Sequence, residues 1–244
     1  MEPPSVGTHE CRRWPLVALA PSFLLSRSCG GIYACCRLRH RPRVPYGSRV
    51  RVALLSDTHL PSLIRQLDEL GTGPGELLAS ADLILHAGDV TAPSVLDWCE
   101  AFAPVLVARG NNDIFEDPRL ADHQLLDLEG WRLGMTHELR PESRPISVLL
   151  EQGLNGEKVD VLIAGDTHVE RLEFREDVLF LNPGSPTLPH HKEYRLGTGA
   201  VLDITRDRIR AEVLLLGQTE GSPNPGTPST LEIARDDSGI QVVG

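Results

Sequence analysis

Six short stretches of the chain each carry side chains that bind metals or polar ligands. They read Asp57-Thr-His59, Gly88-Asp89, Gly110-Asn111-Asn112-Asp113, Thr136-His137, Gly165-Asp166-Thr-His168 and Asn182-Pro-Gly-Ser185. Apolar runs lead into the first five. One histidine alone is more often a surface or hydrogen-bonded residue than a ligand, so the weight lies in the shared placement of the set. Carboxylate, amide and imidazole donors together suit Mn²⁺, Fe²⁺ or Zn²⁺. A pair of such ions about 3.5–4 Å apart clamps an in-line displacement at phosphorus, and a hydroxide between them attacks at neutral pH. The set therefore points to a hydrolase with two metal ions.

The elements that must position these residues alternate. Residues 51–56, 81–86, 105–108 and 159–164 are short apolar runs typical of strands buried on both faces. Helices are predicted over 62–70, 75–80, 94–103 and 146–152, the last ending at Gly153. Hairpins are predicted for 124–128 with 132–136, 172–174 with 178–181, and 200–204 with 209–215. Strand–helix alternation in the first half implies parallel pairing reached by crossovers, hence an α/β fold. In such sheets ligands gather beyond the carboxyl ends of the strands, so Asp57, Asp89, Asn111, His137 and Asp166 are expected on one rim. Asp57 and His59, like Asp166 and His168, would point the same way from extended backbone. Glycines 88, 110 and 165 precede ligand candidates where tight turns are expected.

The 244 residues carry a net charge of −10. Residues 1–49 hold eight arginines against two acids, a net +6, which leaves −16 on the remainder. An acidic body argues against general nucleic-acid binding. Four of the five cysteines lie before residue 49, leaving Cys99, on the apolar face of a helix, for core packing. The apolar stretch Trp14–Leu25 is broken by Pro15 and Pro21 and is too short to span a bilayer. The expected organisation is a leader over 1–49, a catalytic domain over 50–216, and a Gly/Pro/Ser-rich linker and tail over 217–244 with a weak hairpin around Asp237-Ser-Gly239. The leader reads as an organelle import peptide (plastid or mitochondrion), a secretory signal, or a dispensable tail that would leave the protein cytoplasmic. Oligomeric state is open.

The ordered motifs resemble the calcineurin-like metallophosphoesterase superfamily, whose signature runs D-x-H, G-D, G-N-H-D/E, H and G-H-x-H. Within it, Asp57 to Pro186, with Asn182-Pro-Gly-Ser-Pro-Thr187, is similar to the small phosphodiesterase branch that also contains the retromer scaffold subunit. The resemblance implies a layered sandwich of two mixed β-sheets flanked by helices. It implies a first ion held by Asp57, His59 and His168, with Asp89 bridging to a second held by Asn111, His137 and Asp166. Mn²⁺ is the expected ion, with Fe²⁺, Zn²⁺, Ni²⁺ or Mg²⁺ as substitutes. The expected activity is hydrolysis of small phosphate esters, diesters in particular. A catalytically weak protein-binding scaffold of the retromer-subunit type is the alternative.

Two residues depart from the signature. Asn112 stands where the superfamily has a proton-donating histidine. Asn can donate a hydrogen bond to phosphoryl oxygen but cannot give up a proton. Asp166 stands where the first histidine of G-H-x-H is usual. Three carboxylates then set −3 against +4, which should favour Mn²⁺ or Mg²⁺ in the second position and repel a phosphate ester. Asn112 and Asp113 are the catalytic candidates, Asp113 by orienting its neighbours. Asn112, Ser185 and His190 are the substrate-binding candidates, His191 being the neighbour that could serve instead of His190. His86 is read as structural.

Overall fold

The computed structural model describes residues 49–60, 69, 71–191 and 193–243. The leader and most of the helix predicted over 62–70 lie outside the described residues. Strand β1 (Val50–Leu55) lies parallel to β2 (Leu83–His86), which lies parallel to β3 (Val105–Ala108). Helices α1 (Gly73–Ala79) and α2 (Pro93–Glu100) make the crossovers. The two-residue β4 (Leu120–Ala121) closes that edge. Across β1 the sheet turns antiparallel through β10 (Thr198–Ile204) and β11 (Arg208–Leu215).

A second sheet holds β5 (His123–Leu128), β6 (Trp131–Thr136), β7 (Val161–Ile163), β8 (Arg171–Arg175) and β9 (Val178–Asn182), in the order β5-β6-β7-β9-β8. Both sheets mix parallel and antiparallel pairs, as the resemblance implied.

The apolar runs are explained by two-sided burial. From β1, Val52 and Leu54 join Leu133, Met135, Val161, Ile163 and Leu181 in the core between the sheets. Ala53 and Leu55 face the other way, against Leu78 of α1 and Leu96 and Cys99 of α2. Helix α3 (Ile146–Leu154) covers the outer face of the second sheet through Leu149, Leu150 and Leu154, with Leu162 and Phe180 beneath. The layers are therefore helix, sheet, sheet, helix.

Three differences from expectation bear on packing. Helix α2 stops at Glu100 rather than 103, because Pro104 biases the residue before it away from helical geometry. Helix α3 runs through Gly153 and ends against Asn155, which is left-handed at φ 54°. A Cβ on Gly153 would lie 2.6 Å from Thr136 Cγ2, so this glycine lets the helix sit close on β6 instead of ending it. Residues 229–242, grouped by composition with the tail, form β12 (Ser229–Asp236) and β13 (Gly239–Val242), which extend the first sheet beyond β11. Ile233 is fully buried in the inter-sheet core. Arg235 lies 4.2 Å from the centre of the Trp131 ring and donates to the Gly130 carbonyl at 2.8 Å, binding this hairpin to the second sheet.

Candidate metal centre

The loops after β1, β2, β3, β6 and β7 meet at one rim. β1, β3 and β7 end on apolar residues, β2 and β6 on His86 and Thr136, and the residues that follow turn sharply. Asp57, His59, Asp89, Asp166 and His168 all have φ between 48° and 70°. Non-glycine residues avoid this left-handed region, and clusters of them mark sites held by surrounding structure. This corrects the expectation of extended backbone. Both residues of each D-x-H are left-handed: His59 comes within 3.9 Å of Asp57, whereas Asp166 turns to His137 and His168 to His59 and Asp57. Gly110 and Gly165 serve close approach. A Cβ on Gly165 would lie 2.0 Å from Ser56 Oγ, and one on Gly110 2.2 Å from Asp89 Oδ1.

Donor atoms of Asp57, His59 and His168 lie within 4.8 Å of one another, as do those of Asp57, Asp89 and His137. His59 Nε2 is 3.0 Å from His168 Nε2, and His168 Nε2 is 3.4 Å from Asp57 Oδ1. Asp89 sits between the groups, with Oδ2 3.5 Å from His59 Nε2 and Oδ1 3.4 Å from His137 Nε2. Asn111 Oδ1 is 3.2 Å and Asp166 Oδ1 3.8 Å from His137 Nε2. All seven ligand candidates are thus brought to one place.

The donor set fits divalent ions. The Nδ1–H groups of His137 and His168 donate to the Ala87 and Leu188 carbonyls at 2.6 and 2.8 Å. A carbonyl only accepts, so the proton stays on Nδ1 and a neutral ring offers Nε2 to a cation, as metal-ligating histidines commonly do. Asp57 Oδ2 accepts from Ser56 Oγ at 2.5 Å and from the Asp166 amide at 2.9 Å. Its Oδ1 is buried, faces the histidines and has no hydrogen-bond partner. A buried carboxylate oxygen left bare is costly unless a cation meets it.

The protonation pattern agrees. Burial pushes the Asp57 carboxyl up to about 7, against the pull of His137. Burial would lower His137, but its bond to Asp89 and the charges of Asp57 and Asp89 raise it to about 9. Burial also opposes ionisation of Asp89, yet hydrogen bonds from His137 and Asn112 hold it below the usual carboxylate range. Burial lowers His59 and takes His168 down to about 4. Without an ion, protons on Asp57 and His137 take the place of positive charge.

The remaining candidates divide. Asn112 borders the cleft, but its amide donates to Asp89 Oδ2 at 2.6 Å and its backbone N–H to Oδ1 at 2.9 Å. Asp113 is buried and accepts from the amides of Asp89, Thr91 and Gly110 at 2.7–2.9 Å, fixing one loop against another. Ser185, expected to contact phosphate, is fully buried, and its hydroxyl donates to the Asp57 carbonyl at 2.7 Å. Chain reversal after β9 tucks it under the first loop. His190 Nε2 lies 3.0 Å from Glu170, which turns this ring aside. His191 stacks on His168 with centroids 3.7 Å apart and lines the cleft instead. His86 is buried and accepts from the Gly88 amide at 3.2 Å, with burial lowering its pKa to about 3, in keeping with a structural role.

Sequence reasoning missed Arg140. It lines the cleft of about 270 Å³ beside His59, Asp89, Asn112, Asp166 and His168, and its Nε pairs with Asp166 Oδ2. No pattern marks it. The available signal was the third carboxylate, which called for a cation.

The chain belongs to the calcineurin-like phosphoesterase superfamily, whose domain model matches residues 50–207. It is 34% identical over 170 residues to a probable metallophosphoesterase of Methanothermobacter thermautotrophicus, covering 68% of this chain and 92% of that one. It is 24% identical over 150 residues to a phosphodiesterase of Methanocaldococcus jannaschii, covering 55% and 83%. Among solved structures, Vps29 of Chaetomium thermophilum shares the fold with a TM-score of 0.61 at 19% identity, covering 77% of this chain and 98% of that one.

Proposed function

We propose that the chain is a metal-dependent phosphodiesterase with two divalent ions, Mn²⁺ foremost. The convergence of two donor groups that share Asp57, with Asp89 between them, carries this reading. Asp57, His59 and His168 would hold one ion, and Asn111, His137 and Asp166 the other. When bound, the ions supply Lewis acidity at the phosphoryl oxygens and a water acidic enough to attack near neutral pH. The chain's own residues fix the geometry. Asp113 anchors the loops that carry Asp89 and Asn111, and Asn112 holds Asp89 across both oxygens. Neither residue supplies a proton to the leaving group, because Asn112 has none to give and Asp113 is committed to three backbone amides.

Bis-nitrophenyl phosphate, whose leaving group needs no proton, should therefore turn over with Mn²⁺ and stop with a chelator. Alkyl phosphate diesters should turn over at least about tenfold more slowly, the usual minimum worth of a general acid being larger still. Absence of metal-dependent turnover would overturn the proposal, and equal rates on both esters would restore a proton donor. A second reading, a binding scaffold of the retromer-subunit type with weak catalysis, rests on Asn112 and Asp166 and on the fold likeness to Vps29. Metal binding without turnover of either ester would favour it.

A further inference from the structure

Aspartate at position 166 adds a negative charge to a site that must receive a negatively charged ester. The structure shows how the two oxygens of that carboxylate are divided. Oδ1 faces His137 Nε2 at 3.8 Å, toward the metal donors. Oδ2 pairs with Arg140 Nε, and Arg140 Nη2 also donates to the Asp166 carbonyl at 3.1 Å. The guanidinium is thus held along one edge, and its Nη1 has no hydrogen bond among the described residues. The side chain is 54% exposed at the mouth of the cleft. Of the described residues lining that cleft, Arg140 is the one lysine or arginine. Arg109, on the neighbouring loop, is committed to the Asp113 and Phe115 carbonyls and to Glu116.

We propose that Arg140 is the residue that makes aspartate workable at position 166: it cancels the added charge and turns its free edge to the phosphate of a bound ester. This inference rests on the phosphodiesterase reading and deepens it. With Arg140 counted, three carboxylates and one guanidinium give −2 against the ions, the balance that histidine at 166 would give. The repulsion expected from sequence is thereby offset. A fork with one edge on a carboxylate and the other free suits a phosphoryl oxygen, and the fixed edge lowers the entropy cost of binding it.

Calorimetry on the full chain separates the possibilities. Chelator-stripped protein is titrated with Mn²⁺, and the loaded protein with inorganic phosphate. In Arg140→Gln, phosphate should bind about tenfold more weakly, the value of one lost charge-assisted hydrogen bond. Mn²⁺ should bind several-fold more tightly, because Asp166 loses its counter-ion. These opposite signs are the signature, since a merely structural residue would weaken both. Arg140→Lys should keep the parental Mn²⁺ affinity and recover only part of the phosphate affinity. Parental phosphate binding in Arg140→Gln, or a joint fall of both affinities, would overturn the assignment while leaving the phosphodiesterase reading standing. A parental chain that binds no Mn²⁺ would overturn that reading and this one with it.

Discussion

The loops after β1 and β7 carry the same D-x-H spacing and the same left-handed backbone, yet they do different work. Asp57 is fully buried, with one oxygen bound to Ser56 and to the Asp166 amide and the other bare. Asp166 stands nearer the opening, with one oxygen toward His137 and the other on Arg140. Its partner His168 stacks between His59 and His191, at 4.8 and 3.7 Å. In the first loop a bound cation would meet the bare oxygen of Asp57. The second already has one from the protein. Repetition of a motif therefore fixes spacing and backbone, while burial and neighbouring charge give the two carboxylates different surroundings.

The sharpest way to break this comparison is Asp57→Asn. It should lower Mn²⁺ affinity at least about 100-fold and remove turnover, since the residue belongs to both donor groups. Without metal the sign reverses. Burial pushes the Asp57 carboxyl up to about 7 from the ordinary 3.8 of an exposed aspartate, so the folded state holds the proton more tightly. Its contribution to stability is full below pH 3.8 and is lost as pH rises through 7. In chelator, the variant should gain on the parent between pH 4 and 7, with the melting difference level above that. A melting difference independent of pH would show that Asp57 is not desolvated. Metal affinity of the parent should also climb from pH 6 to 9, as Asp57 and then His137 give up their protons.

The two loops also differ in how far the sequence exposed them. The rim was legible because each ligand candidate lies just past an apolar run and the crossover rule places the run ends together. Five of the seven ligand candidates needed only the run ends, whereas His59 and His168 were placed by an extended-backbone argument that their left-handed φ overturns. Ser185, His190 and Arg140 needed knowledge of side-chain direction. Whether a loop residue faces the cleft depends on local φ, and His190 and His191 are both left-handed, so one residue's turn decides which ring faces Glu170. Arg140 lies in a loop without periodicity, visible only through the charge it balances. The β12–β13 hairpin was legible as a hairpin but not as part of the sheet, because the Gly/Pro/Ser-rich stretch between β11 and β12 hides their pairing, and its anchor to the second sheet, Arg235 on Trp131, joins residues more than 100 positions apart.

Asp166→His tests the outer loop with a smaller effect. Ligation should persist, because imidazole is a competent donor, and the softer ligand should raise Zn²⁺ affinity relative to Mn²⁺ by about tenfold. With one carboxylate fewer at the site, metal-bound water should be more acidic, so the activity optimum should move to lower pH. Competition between the two metals, followed by pH profiles with bis-nitrophenyl phosphate, measures both. Unchanged metal preference would mean that Asp166 takes no part in the second group of donors.

The smallest effect separates the two adjacent histidines. The His191 ring lies on His168 at the cleft, so His191→Ala removes a stacking surface and a polar group within reach of an incoming ester. Its KM for bis-nitrophenyl phosphate should rise about threefold to tenfold with kcat little changed, the pattern of a lost binding contact. His190→Ala should leave KM within about twofold, because that ring serves Glu170, which in turn accepts the Thr227 amide at 2.6 Å. Its cost should appear in stability instead, at less than about 1 kcal/mol for a partly exposed pair. The opposite result, a KM effect confined to His190, would mean that the loop turns by one residue when substrate binds. The stacked rings would then mark a resting arrangement of the outer loop, while the buried first loop would keep its geometry through the same cycle.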